Sequence, residues 1–325
     1  YMKEENDILL EDILKQDYGD AILTTHSSND ESISSIKQKT QDILNKNTDA
    51  VLALPFQKSE KIEMKPSHAT SLPNDPLIFP GSFNPPHIGH VSLANAAIKT
   101  MERIRHQERQ TLLSSPLPTS LPTEIQSSIT YHYTKHHPTP SVIFEMSITN
   151  ADKPSLSVEE VERRCGLFAS LANEEEMPMD WGVLFTSAPL FSNKVNVLQK
   201  YLPTTFSKWS NEAEESKRKV TFVIGVDTFV RIINPKYYED SYENMLEDVR
   251  DMGRKGVRYI VGGRLEQGKE QGEISKFITG QEELSTLPND VQDLFILIRE
   301  EDFRVDISST ELRKQASSSS AMMDE

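Results

Sequence analysis

From residue 77 onward, short apolar segments alternate with amphipathic segments of helical spacing, and this alternation restricts the fold more than any other feature of the chain. The apolar segments predict strands at Leu77–Pro80, Val142–Ile148, Gly182–Thr186, Val220–Gly225, Val257–Gly262 and Leu294–Arg299. The amphipathic segments predict helices at Ile88–Gln107, Val158–Ala172, Phe191–Tyr201, Thr228–Ile233 and Tyr242–Met252. Such an order predicts an α/β, Rossmann-like fold with a parallel sheet and helices on both faces. Ligands of these folds bind beyond the carboxyl ends of the strands, where the strand order reverses.

The ten residues from Gly81 to His90, GSFNPPHIGH, follow the first predicted strand and lead into the first predicted helix. The glycine allows a sharp exit from the strand, and the two prolines stiffen the approach to the helix. His87 and His90 share one face of the first helical turn, where backbone N–H groups favour an anion, and Gly89 allows close approach to the backbone. The segment therefore predicts a phosphate-binding turn. A zinc site and a structural turn are the alternatives, because histidines with this spacing also occur in both.

A second anion-binding pattern, ISSTELR, lies near the end of the chain at residues 307–313. Ser308, Ser309 and Thr310 stand where a helix is predicted to begin, and Arg313 follows within one turn. Hydroxyls and backbone N–H groups at a helix N-terminus bind anions, and an arginine adds a charge-assisted donor. The segment therefore predicts a second anion-binding site.

Together, HIGH and ISSTELR resemble the HxGH and ISSTxxR signatures of the nucleotidyltransferase superfamily, whose shared unit is the cytidylyltransferase-like domain. That superfamily includes the nicotinamide and nicotinate mononucleotide adenylyltransferases of NAD biosynthesis, pantetheine phosphate adenylyltransferase and the cytidylyltransferases. The resemblance covers residues 77–314 in outline, and the chain contains neither GxGxxG nor a P-loop. It implies an enzyme that moves a nucleoside monophosphate, AMP from ATP, onto a small phosphomonoester and releases pyrophosphate.

The resemblance also implies roles for individual residues. His87 and His90 would be catalytic, because they would donate hydrogen bonds to the triphosphate as charge develops toward the leaving group. The nucleotide and its phosphates would be bound by Gly81, Ser82, Phe83, Asn84, Gly89, Ser308, Ser309, Thr310 and Arg313. Mg²⁺ would enter with the triphosphate and be held mainly by substrate oxygens, so no metal site built from protein ligands is expected.

Two further segments, FVIGVDTF and YIVGGR, resemble the pyridine-nucleotide branch and indicate Gly225, Asp227 and Arg264 as contacts to the acceptor or the nucleotide. Asp227 could instead be a helix N-cap, and Arg264 a surface arginine. The leading acceptor is nicotinamide or nicotinate mononucleotide. A cytidylyltransferase, a pantetheine phosphate adenylyltransferase-like enzyme and a non-catalytic nucleotide-binding regulatory protein stay open, because no aromatic platform for a pyridine ring is identifiable. Trp181 is expected in the core.

Composition restricts the partners. A formal net charge of −15, from 35 basic and 50 acidic residues, argues against a broad nucleic-acid or anionic-membrane surface. The expected partners are those that the resemblance implies, ATP or another nucleoside triphosphate and the small acceptor. The single cysteine, Cys165, excludes an internal disulfide and suits the cytoplasm or nucleus. Organelle targeting stays open, because the chain begins with Tyr1 and not with methionine.

The remaining segments divide the chain into three predicted parts. Residues 1–74 form an N-terminal helical extension and linker, with a helix–strand unit at 36–56 and a linker from Lys58 to Asp75. Residues 75–318 form the nucleotidyltransferase domain, with insertions at 107–140 and 266–290, and residues 319–325 form a disordered tail. The first insertion contains a histidine-rich run at 131–137, which is typical of a mobile loop and alternatively of a metal site or lid.

Overall fold

The computed structural model describes residues 35–67, 72–73, 76–114, 139–149, 154–202, 219–266 and 276–304. The strands in these ranges are β1 (Ala50–Lys58), β2 (Lys61–Pro66), β3 (Leu77–Pro80), β4 (Val142–Ser147), β5 (Trp181–Thr186), β6 (Val220–Gly225), β7 (Val257–Gly262), β8 (Arg264–Glu266), β9 (Lys276–Ile278) and β10 (Phe295–Leu297). The α-helices are α1 (Ile36–Leu44), α2 (Ile88–Ser114), α3 (Val158–Glu174), α4 (Phe191–Tyr201), α5 (Val226–Ile232), α6 (Tyr242–Arg254), α7 (Gln281–Leu284) and α8 (Asn289–Gln292), and a 3₁₀ turn spans Pro235–Tyr237.

Eight strands form one sheet in the order β10-β7-β6-β3-β4-β5-β1-β2. β3 pairs in parallel with both β4 and β6, and parallel pairing continues outward to β5 on one side and to β7 and β10 on the other. The predicted Rossmann-like α/β fold is therefore confirmed. The chain runs outward from β3 through β4 to β5 and then returns to β6 beside β3, so the strand order reverses between β3 and β6. Ligands of open α/β sheets bind beyond the strand ends at such a point.

Residues 50–66 extend this sheet by two antiparallel strands. β1 pairs with β5, and β2 pairs with β1 at the edge of the sheet. The predicted helix–strand unit is thus confirmed, whereas the linker prediction is wrong for residues 61–66, which form β2. The physical reason is that edge strands tolerate lysine and proline, which protect an open edge from further pairing. An edge strand therefore resembles a linker in composition.

Apolar side chains cover both faces of the sheet because they alternate along each strand. Leu77 and Phe79 belong to the layer that contains α2 and α3, whereas Ile78 belongs to the layer that contains α4, α5 and α6. In β4, likewise, Phe144 lies in the α2–α3 layer and Ile143 in the opposite layer. The carboxyl ends of β3, β4, β5 and β6 thus form an edge at which the two helical layers meet.

Other predictions have mixed outcomes. Trp181 is 5% exposed and lies in the core, as predicted. The first insertion begins later than predicted because α2 continues to Ser114. In the second insertion, residues 276–290 contain β9, α7 and the start of α8 instead of a loop with one helical turn. Gly280, the N-cap of α7, has a left-handed φ of 87°. The histidine-rich run at 131–137 and the C-terminal tail lie outside the described residues. No helix in the described ranges is long and apolar enough to cross a membrane.

Candidate functional site

The turn that begins at Gly81 lies at the carboxyl end of β3, as the sequence predicts, and β6 is the neighbouring strand on one side. The Gly81 N–H donates to the carbonyl oxygen of Glu145 at 2.9 Å and so extends the pairing of β3 with β4. A Cβ at position 81 would lie 2.7 Å from the Phe83 ring. The backbone of Gly81 is not left-handed, so its conformation does not require glycine. Glycine is needed here because the Phe83 ring leaves no room for a Cβ.

Phe83 anchors the turn in the core. Its backbone has a φ of 44°, which is unusual for a residue other than glycine, and its ring is 1% exposed. The ring packs edge-on against Phe79 and Phe144, with centroid distances of 5.6 Å in both cases. Of the predicted nucleotide contacts, Phe83 can therefore contribute backbone groups only.

Two arginines of α3 hold the turn from the side of the α2–α3 layer. Arg164 donates through Nη1 to the carbonyl oxygen of Ser82 at 2.8 Å, and Arg163 donates through Nη2 to Oδ1 of Asn84 at 2.6 Å. Glu160 accepts from both arginines, and the hydrogen bond from Arg163 is the main cause that lowers the pKa of this carboxyl to about 2. Sequence analysis missed both arginines, because they meet the turn only through the folded sheet.

His87 and His90 face each other at the start of α2, with ring centroids 3.8 Å apart. The His87 backbone N–H donates to Nδ1 of His90 at 3.1 Å, and the Gly89 N–H donates to Nδ1 of His87 at 3.2 Å. Because Nδ1 of each ring accepts a hydrogen bond, the proton of each neutral ring lies on Nε2. The turn therefore fixes the tautomer of both histidines, and Gly89 contributes a backbone donor to this arrangement.

Burial keeps both imidazoles neutral. It lowers the pKa of His90 to about 3, and the adjacent His87 ring contributes to the same shift. Burial also lowers the pKa of His87, which is 9% exposed. The pair can consequently donate hydrogen bonds without carrying a permanent positive charge.

A cavity of about 420 Å³ opens at the same edge, between the turn and the ends of β4 and β5. The described residues that line it are Pro80, Gly81, Ser82, Asn84, Glu145, Ser147, Ile148, Thr149, Pro154, Leu156, Arg164, Pro189, Phe191, Lys194 and Thr228. Three predicted site residues, Gly81, Ser82 and Asn84, are therefore in its wall. His87 and His90 are not among the described residues that line the cavity.

A buried ion pair forms part of the cavity wall. Lys194 Nζ lies 2.8 Å from Oε1 and 2.7 Å from Oε2 of Glu145, and it donates to the carbonyl oxygen of Ala188 at 2.9 Å. Thr186 Oγ1 donates to the same carboxylate at 2.5 Å. Sequence analysis missed this pair. The available signal was an acidic residue inside the otherwise apolar segment VIFEMS.

The residues predicted at the end of β6 form a separate group. Arg264 Nε lies 2.9 Å from Oδ1 of Asp227, and these side chains are 47% and 65% exposed. Gly225 is the N-cap of α5, and a Cβ there would meet nothing within 4 Å. Asp227 therefore lies in the first turn of α5, so the N-cap alternative is wrong. The structure brings Asp227 and Arg264 together, but neither lines the cavity formed by the described residues.

The second predicted motif, with Ser308, Ser309, Thr310 and Arg313, lies outside the described residues. Within the described part of the chain, no group of three or more His, Cys, Asp or Glu side chains is placed to hold a metal ion. Comparisons with protein-family models, curated proteins and solved structures find no match to this chain.

Proposed function

We propose that this protein is a nucleotidyltransferase that transfers a nucleoside monophosphate, AMP from ATP, to a small phosphomonoester and releases pyrophosphate. The observation that carries the proposal is the position of the GSFNPPHIGH turn, which follows β3 beside β6 where the strand order reverses. Ligand-binding turns of open α/β sheets occur at this point. The resemblance of the same ten residues to the HxGH signature gives the ligand its chemical class.

The reaction joins an acceptor phosphate oxygen to the α-phosphorus of the triphosphate and breaks the bond from that phosphorus to pyrophosphate. Its main obstacle is the negative charge that accumulates on the transferred group and the leaving group. His87 and His90, with their ring protons on Nε2, would donate to these oxygens. Cys165 is not a nucleophile for this reaction, because burial raises the pKa of its thiol to about 12.

The site is organised before substrate binds, which supports catalysis by orientation. Phe83 is anchored in the core, and Arg163 and Arg164 hold the carbonyl of Ser82 and the side chain of Asn84. A turn held in this way does not need to reorganise as charge develops. Ser308, Ser309, Thr310 and Arg313 would bind the remaining phosphates, as the resemblance implies.

Mg²⁺ would accompany the triphosphate. The ion keeps several waters and binds mainly phosphate oxygens in sites of this kind, so it needs few protein ligands. The carboxylate in the cavity wall, Glu145, is paired with Lys194. We therefore assign no metal to Glu145.

The test is pyrophosphate release from ATP, CTP, GTP and UTP, each combined with nicotinamide mononucleotide, nicotinate mononucleotide, phosphopantetheine and phosphocholine. We expect the fastest release with ATP and a pyridine mononucleotide, and a requirement for added Mg²⁺. A preference for CTP would indicate a cytidylyltransferase, and a preference for phosphopantetheine would change the acceptor. Tight ATP binding without release in any combination would reject the enzyme and favour a nucleotide-binding regulatory protein.

A further inference from the structure

The ion pair of Glu145 and Lys194 has no part in the proposed chemistry, although it forms part of the wall of the cavity beside the turn. The Glu145 side chain is fully buried and the Lys194 side chain is 8% exposed. Buried ion pairs are seldom more stabilising than apolar side chains of the same size, because both charges lose their hydration. Stability alone is therefore a weak reason for a charged pair at this position.

The pair lies directly beside the turn. The carbonyl oxygen of Glu145 accepts the N–H of Gly81, the first residue of the turn. Side chains alternate along β4, and Phe144 belongs to the α2–α3 layer, so the Glu145 side chain points to the opposite layer, where Lys194 lies on α4. Arg164 of α3 lines the cavity from the other layer. Two cations thus approach one cavity from the two faces of the sheet.

The charge of the cavity differs from that of the chain. Among the described residues that line it, the charged ones are Arg164, Lys194 and Glu145, two cations and one anion. The whole chain carries a formal charge of −15. Cationic groups in the wall of a cavity attract a small anion that can enter it.

The hydrogen bonds of Lys194 leave a donor for such an anion. An ammonium group has three N–H donors. Among the described residues, Lys194 donates to Oε1 of Glu145 and to the carbonyl oxygen of Ala188. Oε2 of Glu145 also lies 2.7 Å from Nζ, but the two oxygens of one carboxylate lie in nearly the same direction from Nζ, so a single N–H can serve both and the third N–H stays available.

From these contacts we infer that the cavity is the acceptor site and that Lys194 donates its third N–H to a phosphate oxygen of the acceptor. Glu145 is a positioning residue, because it acts by holding the ammonium group in the wall. The volume of about 420 Å³ lies within the range of small-molecule sites. The identity of the ligand as an acceptor rests on the proposed function, whereas its anionic character rests on the cavity.

The experiment measures binding without a nucleoside triphosphate, so it does not depend on turnover. Isothermal titration calorimetry would compare nicotinamide mononucleotide, ribose 5-phosphate and the phosphate-free nicotinamide riboside. Three proteins are needed: the natural chain, the double variant Glu145→Leu/Lys194→Met and the control Lys200→Met. The double variant removes both buried charges and so avoids leaving one unpaired. Lys200 lies on the same helix, is 60% exposed and pairs with Asp49 outside the cavity.

We expect the double variant to bind the two phosphomonoesters roughly tenfold more weakly or worse, because a charge-assisted hydrogen bond is lost. Its affinity for the riboside should be unchanged, and Lys200→Met should bind all three ligands as the natural chain does. Equal binding of phosphomonoesters by the natural chain and the double variant, or no binding by the natural chain, would overturn the inference. Lys194-dependent binding in a protein that never releases pyrophosphate would support the anion site and reject the proposed function.

Discussion

The His87–His90 pair and the Glu145–Lys194 pair lie at the same edge of the sheet, but the histidines are neutral whereas Glu145 and Lys194 are both charged. Burial lowers the pKa of both histidines, so each ring is a neutral donor. Glu145 and Lys194 form an ion pair with an N–O distance of 2.7 Å, although they are at least as buried. A neutral donor suits charge that develops only during a reaction, whereas a fixed cation suits charge that a ligand carries throughout. In the reaction proposed above, the two pairs would therefore serve different steps, the histidines in transfer and the ion pair in acceptor binding.

The largest expected effect comes from breaking the ion pair on one side only. Lys194→Met should lower the free energy of unfolding by about 3–5 kcal/mol, because Glu145 would stay buried without its partner. The double variant Glu145→Leu/Lys194→Met should recover most of this loss. Urea unfolding at neutral pH measures both, provided that the m-value is unchanged.

Lys200→Met is the matched control and should leave the free energy of unfolding nearly unchanged, because its pair with Asp49 is exposed. If Lys194→Met were as stable as this control, the two charges would not be an interdependent pair, and the contrast with the histidines would fail.

The next largest effect is expected on turnover, from substitution of the neutral donors His87 and His90. His90→Ala should reduce turnover roughly a hundredfold or more while weakening triphosphate binding much less, because the donor acts mainly in the transition state. His87→Ala should behave similarly, with a larger share of the loss in nucleotide affinity. Steady-state kinetics on variants with an unchanged circular dichroism spectrum would measure this. An unchanged turnover number in a folded His90→Ala protein would exclude His90 from catalysis.

The pH dependence of stability sharpens the comparison further. The pKa of His90 falls from 6.5 to about 3 on folding, so the unfolded chain takes up the proton first as the pH decreases. The stabilisation by the neutral ring is complete above pH 6.5 and is lost as the pH falls toward 3, at up to about 1.4 kcal/mol per pH unit. His87 acts in the same direction.

We therefore compare the free energy of unfolding of the natural chain with that of His90→Gln between about pH 7 and about pH 5. As the pH is lowered, the free energy of unfolding should fall more steeply in the natural chain, so the difference between the two proteins should shrink. Parallel curves would show that His90 titrates normally in the fold and that burial does not keep it neutral.

The smallest expected effect is at the end of β6. Asp227→Asn removes an exposed ion pair with Arg264 and should change stability by less than about 1 kcal/mol. The next residue in the chain, Thr228, lines the cavity. We therefore expect Asp227→Asn to raise the Michaelis constant for the acceptor a few-fold. A stability loss with unchanged acceptor kinetics would make Asp227 structural and remove one support for a pyridine-nucleotide acceptor.

The fold was predictable because each parallel strand of the main sheet is a short apolar run, and the turn was predictable because its residues are contiguous. The ion pair was not, since Glu145 and Lys194 are 49 positions apart and meet only through the order of the strands. Arg164 and the carbonyl of Ser82 are separated by 82 positions for the same reason. Local patterns specify elements but not which distant side chains meet at their ends. The edge strand β2 was missed because its lysines and proline have the composition of a linker.

The most direct test of the proposed function follows the α-phosphorus itself. ATP labelled at the α-phosphorus would be incubated with Mg²⁺ and nicotinamide mononucleotide, in parallel with ATP labelled at the γ-phosphorus. We expect the α-label in a dinucleotide product and the γ-label in pyrophosphate, with both reactions strongly reduced in His90→Ala. Transfer of the γ-label to the acceptor, or no transfer of the α-label to any phosphomonoester of the panel, would contradict nucleotidyl transfer at this site.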